Sequence, residues 1–389
     1  MSITGILPPL LFCLLFAIPT WWLWRIGRRP WAFVPGAIGL LLVFFTLTVF
    51  FQDRLRVQQD RAIVQLLEEL NREDLFELND LAEVEDRLFL ASSASQALYR
   101  ARTQLPERAP AIDSTLGVLA SWVADRDNLR QWGRGVNRDR EVFFLAHAGI
   151  TLGHYQLATG NDSYGESFRL VGEHIGKRLQ RGRYKHLGSR AGEDFFRPAD
   201  NAAATYALRL YDQYAGTDYS RATLADWTSY IRDELHYQES RLPCAAFSST
   251  NRCRLEPTAT ATGLYICYRA AAIPEETQTD IPWQEWKHYF KQGSGSPFSV
   301  GVRPNMRDGE TARFCDLGAM PLACNQYENE IGLWAAAEYG GWYTYFRMFS
   351  VRVLQDWFGR EADLGTLRPV RRIPYLTELS LSALGMGHP

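Results

Sequence analysis

Residues Asn201–Ala222 read NAAATYALRLYDQYAGTDYSRA, and this stretch decides the fold. Apolar residues recur at helical spacing from Asn201 to Leu210, with no strand-like alternation. Gly216 stops the run, and Thr217-Asp218 lead into a second, more charged helix. The same kind of ending recurs along the chain. ALYRARTQLPE stops near Gln104, HYQLATGNDSY near Gly160, GLYICYRAAAIPEE near Ile273 and IGLWAAAEYGGW near Gly340. The endings lie about 56, 56, 57 and 67 residues apart, a period that calls for a repeat of helical hairpins. A last helix around Tyr375–Leu384 makes six.

Helices that end at these points are rich in small residues, as in Asn201–Leu210 and Thr258–Ala272, and small residues let neighbouring helices approach closely. They read as inner helices. The segments between them (57–71, 111–124, 166–180, 222–236, 283–291 and 342–357) carry more charge on one face and read as outer helices. Six of each predict an all-α fold, an (α/α)6 toroid over residues 57–389. Inner-to-outer connections are short. Outer-to-inner connections are long, at 125–141, 181–199, 238–256, 292–325 and 359–373, and long loops in a compact domain are usually functional. They gather at the N-terminal ends of the inner helices, where free N–H groups and the positive dipole lie. The site is expected there.

Two apolar runs precede the toroid, Ile6–Trp24 and Trp31–Phe51, each close to the ~20 residues that cross a bilayer core. Arg25, Arg28 and Arg29 between them predict a cytoplasmic loop. Residues 1–56 are therefore expected to form a two-helix anchor in the bacterial inner membrane, with the globular domain in the periplasm. Cysteine spacing points the same way. Cys244 and Cys253 enclose eight residues, as do Cys315 and Cys324, which reads as two local disulfides in an oxidising compartment.

The net charge of −2 gives no reason to expect nucleic acid. The sequence has no P-loop, no dinucleotide-binding glycine fingerprint, no HExxH and no GxSxG. Chemistry by carboxylates and histidine is expected, with no cofactor and no metal. His147, in FFLAHAGITLGHYQ, begins an inner helix and is a candidate acid or base; His154, two turns deeper, reads as structural. Asp200 begins the next inner helix, where a plain N-cap is the competing reading, and Asn201 follows it. Glu193 and Asp194 lie just upstream. The fifth inner helix begins with Tyr327, Glu328 and Glu330 in a polar cluster. Tyr327 and Trp132 are candidate substrate contacts. The loops 125–141 and 181–199 are arginine-rich, which suits either a solvated face or an anionic ligand.

From His147 to Leu235 the chain resembles the linalool dehydratase/isomerase family. The histidine followed by GHYQLATGNDSY carries the resemblance, together with RPADNAAATYALRLYDQYAGTDYSRATLADWTSYIRDEL. The resemblance implies an (α/α)6 fold and cofactor-independent dehydration or isomerisation of a small apolar terpene alcohol, hence a lyase or isomerase. It places the family's histidine on His147, one active-site cysteine on Asp200, a second near residues 191–193, and a tyrosine near Thr262. The family's aspartate falls on Asp80 or Asp86. Expected partners are that alcohol, the bilayer through residues 6–51, and further copies of the chain in a homo-oligomer. Two alternatives stand beside it. One is a periplasmic carbohydrate-active (α/α)6 enzyme, a glycosidase or polysaccharide lyase, using Asp200 and Glu328 as the carboxylate pair. The other is a non-catalytic binding scaffold. A closed apolar pocket would favour the alcohol, and an open groove with paired carboxylates would favour sugar chemistry.

Overall fold

The computed structural model describes residues 1–72, 75, 81–125, 141–181, 186–188, 195–238, 240–274, 281–292, 296–306, 314–315, 322–323, 326–358 and 369–387. The described chain is overwhelmingly helical. Six inner helices are α5 (Leu81–Gln104), α7 (Val142–Thr159), α9 (Pro198–Ala215), α11 (Ala259–Ala272), α13 (Gln326–Glu338) and α15 (Pro369–Met386). Each packs on the next, and α15 returns to α5, so the ring closes. Six outer helices alternate with them: α4 (Val57–Leu70), α6 (Ala109–Ala124), α8 (Gly165–Arg181), α10 (Tyr219–Glu234), α12 (Ile281–Phe290) and α14 (Trp342–Phe358). The structure is thus the (α/α)6 toroid that the repeat spacing predicts.

Small residues set the spacing of the ring. A Cβ on Gly149 would lie 2.9 Å from that of Ala207, and one on Gly153 would lie 2.9 Å from Leu210 Cβ and from Phe168 Cζ. The recurring helix endings are structural joints. Gly160, Gly216 and Gly340 all have φ between 61° and 66°, the left-handed conformation that glycine adopts without a Cβ penalty. In the turn after α9, Asp212 caps the next helix. Its carboxylate accepts from Tyr219 N (3.0 Å), Ser220 N (2.7 Å) and Thr217 Oγ1 (2.6 Å). The LYDQYAGTDY motif therefore closes a hairpin at the end of the toroid opposite the inner-helix N-termini.

Short strands decorate the other end. β1 (Phe195–Phe196), β2 (Ala246–Ser248) and β3 (Cys253–Leu255) form an antiparallel sheet in the order β1-β2-β3. A disulfide joins Cys244 to Cys253 across the β2–β3 hairpin. Cys324 lies outside the described residues, and of Cys315 only its backbone in a short strand is described.

The N-terminal segment is a helical hairpin: α1 (Ile3–Leu14) and α2 (Ala17–Arg25) run out, and α3 (Arg29–Arg54) returns. Both arms are long and apolar enough to cross a membrane, and only 11 % of the most apolar window in α3 is buried. Their bases join the core of the toroid through Ile6 and Val49, and both arms pack along α14: Tyr345 donates to Asp53 at 2.6 Å, and Phe45 meets Trp357 edge-on at 6.0 Å.

Candidate functional site

The N-terminal ends of the inner helices surround a cavity of about 200 Å³. Its walls are Glu85, Asp86 and Phe89 of α5, Phe143 and His147 of α7, Ala199 and Asp200 of α9, Thr260, Leu264 and Tyr268 of α11, and Tyr327 of α13. A wider cavity of about 470 Å³ shares Ala199, Asp200, Thr260 and Leu264 with it. The two form one groove, with a narrow axial pocket opening onto a broad shelf. The shelf is bounded by Arg197, Glu256, Thr258, Asn305 and Met306, and by Ala245 and Leu255 of the disulfide-linked hairpin.

Helix geometry explains why these residues converge. Glu85, Phe89, Ser92, Gln96 and Tyr99 follow one another at spacings of three and four, so they share one stripe of α5, turned to the toroid axis. His147 and His154 occupy the matching stripe of α7. Ser92 Oγ lies 2.7 Å from His147 Nδ1 and donates its own proton to the Phe89 carbonyl at 2.9 Å. The contact holds the imidazole ring in place at the pocket wall. Phe143 (4.4 Å) and Phe89 (5.2 Å) pack around the ring.

Below this level the axis is filled. His154 stacks on Tyr99 at 5.0 Å, and its Nε2 lies 2.9 Å from the Tyr206 hydroxyl. Burial, assisted by the Arg100 charge, pushes the His154 pKa down to about 3. It is a neutral structural imidazole. Burial raises the pKa of Tyr206 and of Tyr268 above the ordinary phenol value. Both phenols stay protonated.

The structure brings His147, Asp200 and Tyr327 together in the pocket, and it adds Asp86 from the two aspartates considered at the sequence level. Asp200 is buried and Asp86 is exposed. Four other candidates lie elsewhere. Asn201 is structural: its Oδ1 accepts from Leu187 N at 2.7 Å, and its Nδ2 donates to the Arg197 carbonyl at 3.0 Å. Thr262 is buried on α11, outside the pocket wall. Glu330 is buried between α13 and α14, 3.6 Å from Arg352. Glu328 stands behind Thr260, whose Oγ1 donates to it at 3.5 Å. Trp132, Glu193, Asp194 and Asp80 lie outside the described residues. Sequence reading missed Glu85, Phe89, Ser92, Thr260, Leu264 and Tyr268. The i, i+3/i+4 stripe in α5 was the available signal. Among the described residues, no group of three or more His, Cys, Asp or Glu is placed to hold a metal ion.

No family profile matches the chain. No curated protein matches it either. The solved structures found include two complexes of an α-1,6-mannanase, GH76A of Salegentibacter sp. HEL1_6, each an inactive variant. The mannotriose complex is 10 % identical with a TM-score of 0.49, covering 77 % of this chain and 89 % of that one. The mannotetrose complex is 10 % identical with a TM-score of 0.48, covering 76 % and 89 %. The expectation of a lyase or isomerase with a small apolar alcohol as partner is corrected by these findings: the neighbours are glycoside hydrolases holding mannan oligosaccharides. The pocket agrees with the correction. A carbocation-like transition state needs a dry apolar enclosure, whereas this pocket carries Glu85, Asp86, Asp200 and His147 and is open to the shelf.

Proposed function

We propose that the protein is a membrane-anchored hydrolase of glycans, with the toroid on the periplasmic side of the bacterial inner membrane. The observation that carries this reading is the convergence of Glu85, Asp86 and Asp200 in one open, two-part groove. Glycosidic bonds are hydrolysed by a pair of carboxyl groups, one donating a proton to the leaving oxygen and one activating water or attacking the anomeric carbon. Asp200, near the start of α9, and Asp86, near the start of α5, stand on separate walls of the pocket, and in this reading Asp200 takes the part of the acid and Asp86 that of its partner. In the net reaction water adds across the C–O bond. Its hydroxyl goes to the anomeric carbon and its proton goes to the departing sugar oxygen. Asn305, Thr258, Arg197 and Glu256 on the shelf offer the donors and acceptors that a sugar chain requires, and Tyr268 and Tyr327 offer ring faces.

The anchor reading rests on the length and apolarity of the hairpin arms and on the arginines at their turn. The disulfide between Cys244 and Cys253 supports an oxidising compartment. Hydrolysis is tested by incubating detergent-purified protein with a panel of α- and β-linked oligosaccharides and following new reducing ends. Turnover lost in both Asp200→Asn and Asp86→Asn supports the reading. Turnover retained in either variant removes that residue from the chemistry.

A further inference from the structure

The hairpin is fixed on the toroid in one direction, and that direction places the groove. Outer helix α14 runs from the closed end, where the short connections lie, to the open end, where the groove lies. Helix α3 runs antiparallel to it. Asp53 meets Tyr345 near the start of α14, and Phe45 meets Trp357 at its end. From Phe45 back to Arg29, α3 continues past the open end for about 24 Å at 1.5 Å per residue. The projecting hairpin carries Trp21 and Trp22 on α2 and Trp31, Phe33, Leu40 and Leu41 on α3, all exposed.

A second contact agrees. Phe298, in the loop leading from α12 to α13, packs on Phe12 at 5.9 Å and on Phe45 at 6.0 Å, partway along both arms. The chain then runs directly to Asn305 and Met306 on the shelf wall, at most about 28 Å further on even if fully extended. The projecting hairpin is slightly shorter than the ~30 Å bilayer core. Full insertion therefore draws the open end of the toroid down to the headgroups. What faces that level fits it. Trp357 is 40 % exposed and Leu255, on the shelf rim, 46 %. Arg252 and Arg254, just before Leu255 in the β2–β3 hairpin, are exposed. Tryptophan favours the interface, and arginine favours anionic headgroups.

We infer that the open end of the toroid seats on the bilayer surface, so that the groove takes its substrate from the membrane. This rests on the anchored-hydrolase reading and adds to it a substrate class: a saccharide carried on a lipid. The test uses full-length protein in nanodiscs containing lipids with a headgroup nitroxide. A fluorescent non-natural residue is placed at Leu255 in one sample and at Asp218, on the closed end, in another. Several-fold stronger quenching at 255 than at 218 is the expected result. Equal quenching, or stronger quenching at 218, overturns the orientation. Failure of the protein to incorporate into nanodiscs would instead overturn the anchor itself, and with it this inference. None of these readings depends on turnover.

Discussion

The Cys244–Cys253 disulfide is the perturbation whose effect can be worked furthest. It closes a short loop of sequence separation 9. In the chain-entropy treatment, such a cross-link removes about 2.6 kcal/mol of loop entropy from the opened hairpin. At 1.4 kcal/mol per tenfold, reduction should raise the opening equilibrium of this hairpin roughly 70-fold. The effect should stay local, because β2 and β3 lie on the rim and β3 is exposed. Two reporters are built in. Ala245 N donates to Leu255 O and Ser248 N to Arg252 O, each at 2.9 Å. Hydrogen exchange of these amides, measured with and without reductant or in Cys244→Ser/Cys253→Ser, should accelerate by one to two orders of magnitude, while amides of α7 and α9 keep their protection. Because Ala245, Leu255 and Glu256 line the shelf, ligand affinity should fall with the loss of protection. Unchanged exchange after complete reduction would refute the reasoning, since the hairpin would then be held by its packing alone.

Asp200→Asn should lower turnover by roughly 10²–10⁴-fold, the usual worth of a general acid, with no change in melting temperature, as measured by initial rates and calorimetry on one preparation. Glu378 on α15 is a different matter. Burial, and then repulsion from Glu330, raises its pKa to about 7, with Arg352 opposing. A carboxyl raised above its unfolded value adds stability that is complete below about pH 4.5 and lost as pH rises through 7. Glu378→Gln should therefore raise the melting temperature at pH 8 and leave it nearly unchanged at pH 4; an equal shift at both would rule out ionisation as the cause. Gly153→Ala brings a Cβ within 2.9 Å of both Leu210 and Phe168. It should cost about 1–3 kcal/mol in chemical denaturation. In selectively ¹⁵N-labelled protein, Ser92→Ala should shift the His147 Nδ1 resonance, since Ser92 Oγ lies 2.7 Å from it; an unchanged resonance would contradict the contact.

The toroid was legible because its determinants are local and repeated. The glycine-ended helices, their small-residue faces and their spacing follow from backbone geometry, and the six inner and six outer helices appear where the sequence reading put them. The site was only half legible. His147, Asp200 and Tyr327 were visible because each lies in the first two turns of an inner helix. Asp86 was a candidate through the family resemblance alone, and Glu85 was passed over because the charged start of α5 reads as a solvated face, although the i, i+3/i+4 stripe behind it marks the side that ring closure turns inward. Asn201 and Thr262 failed for a related reason. Both lie near helix starts, but a helix places neighbouring residues about 100° apart, so one residue of a pair can face the axis while the next is buried between helices. The LYDQYAGTDY motif carried much of the family resemblance, yet Asp212 uses it to cap α10 at the end away from the groove. It therefore speaks for hairpin geometry and not for chemistry.

The most direct test of the central claim is to run the reaction in H₂¹⁸O with the oligosaccharide panel and weigh the products. Hydrolysis in this groove predicts one ¹⁸O at each new reducing end, formed by wild type and not by Asp200→Asn or Asp86→Asn. Products lighter by a water and carrying a new double bond, or no product at all from protein shown to be folded, would contradict it.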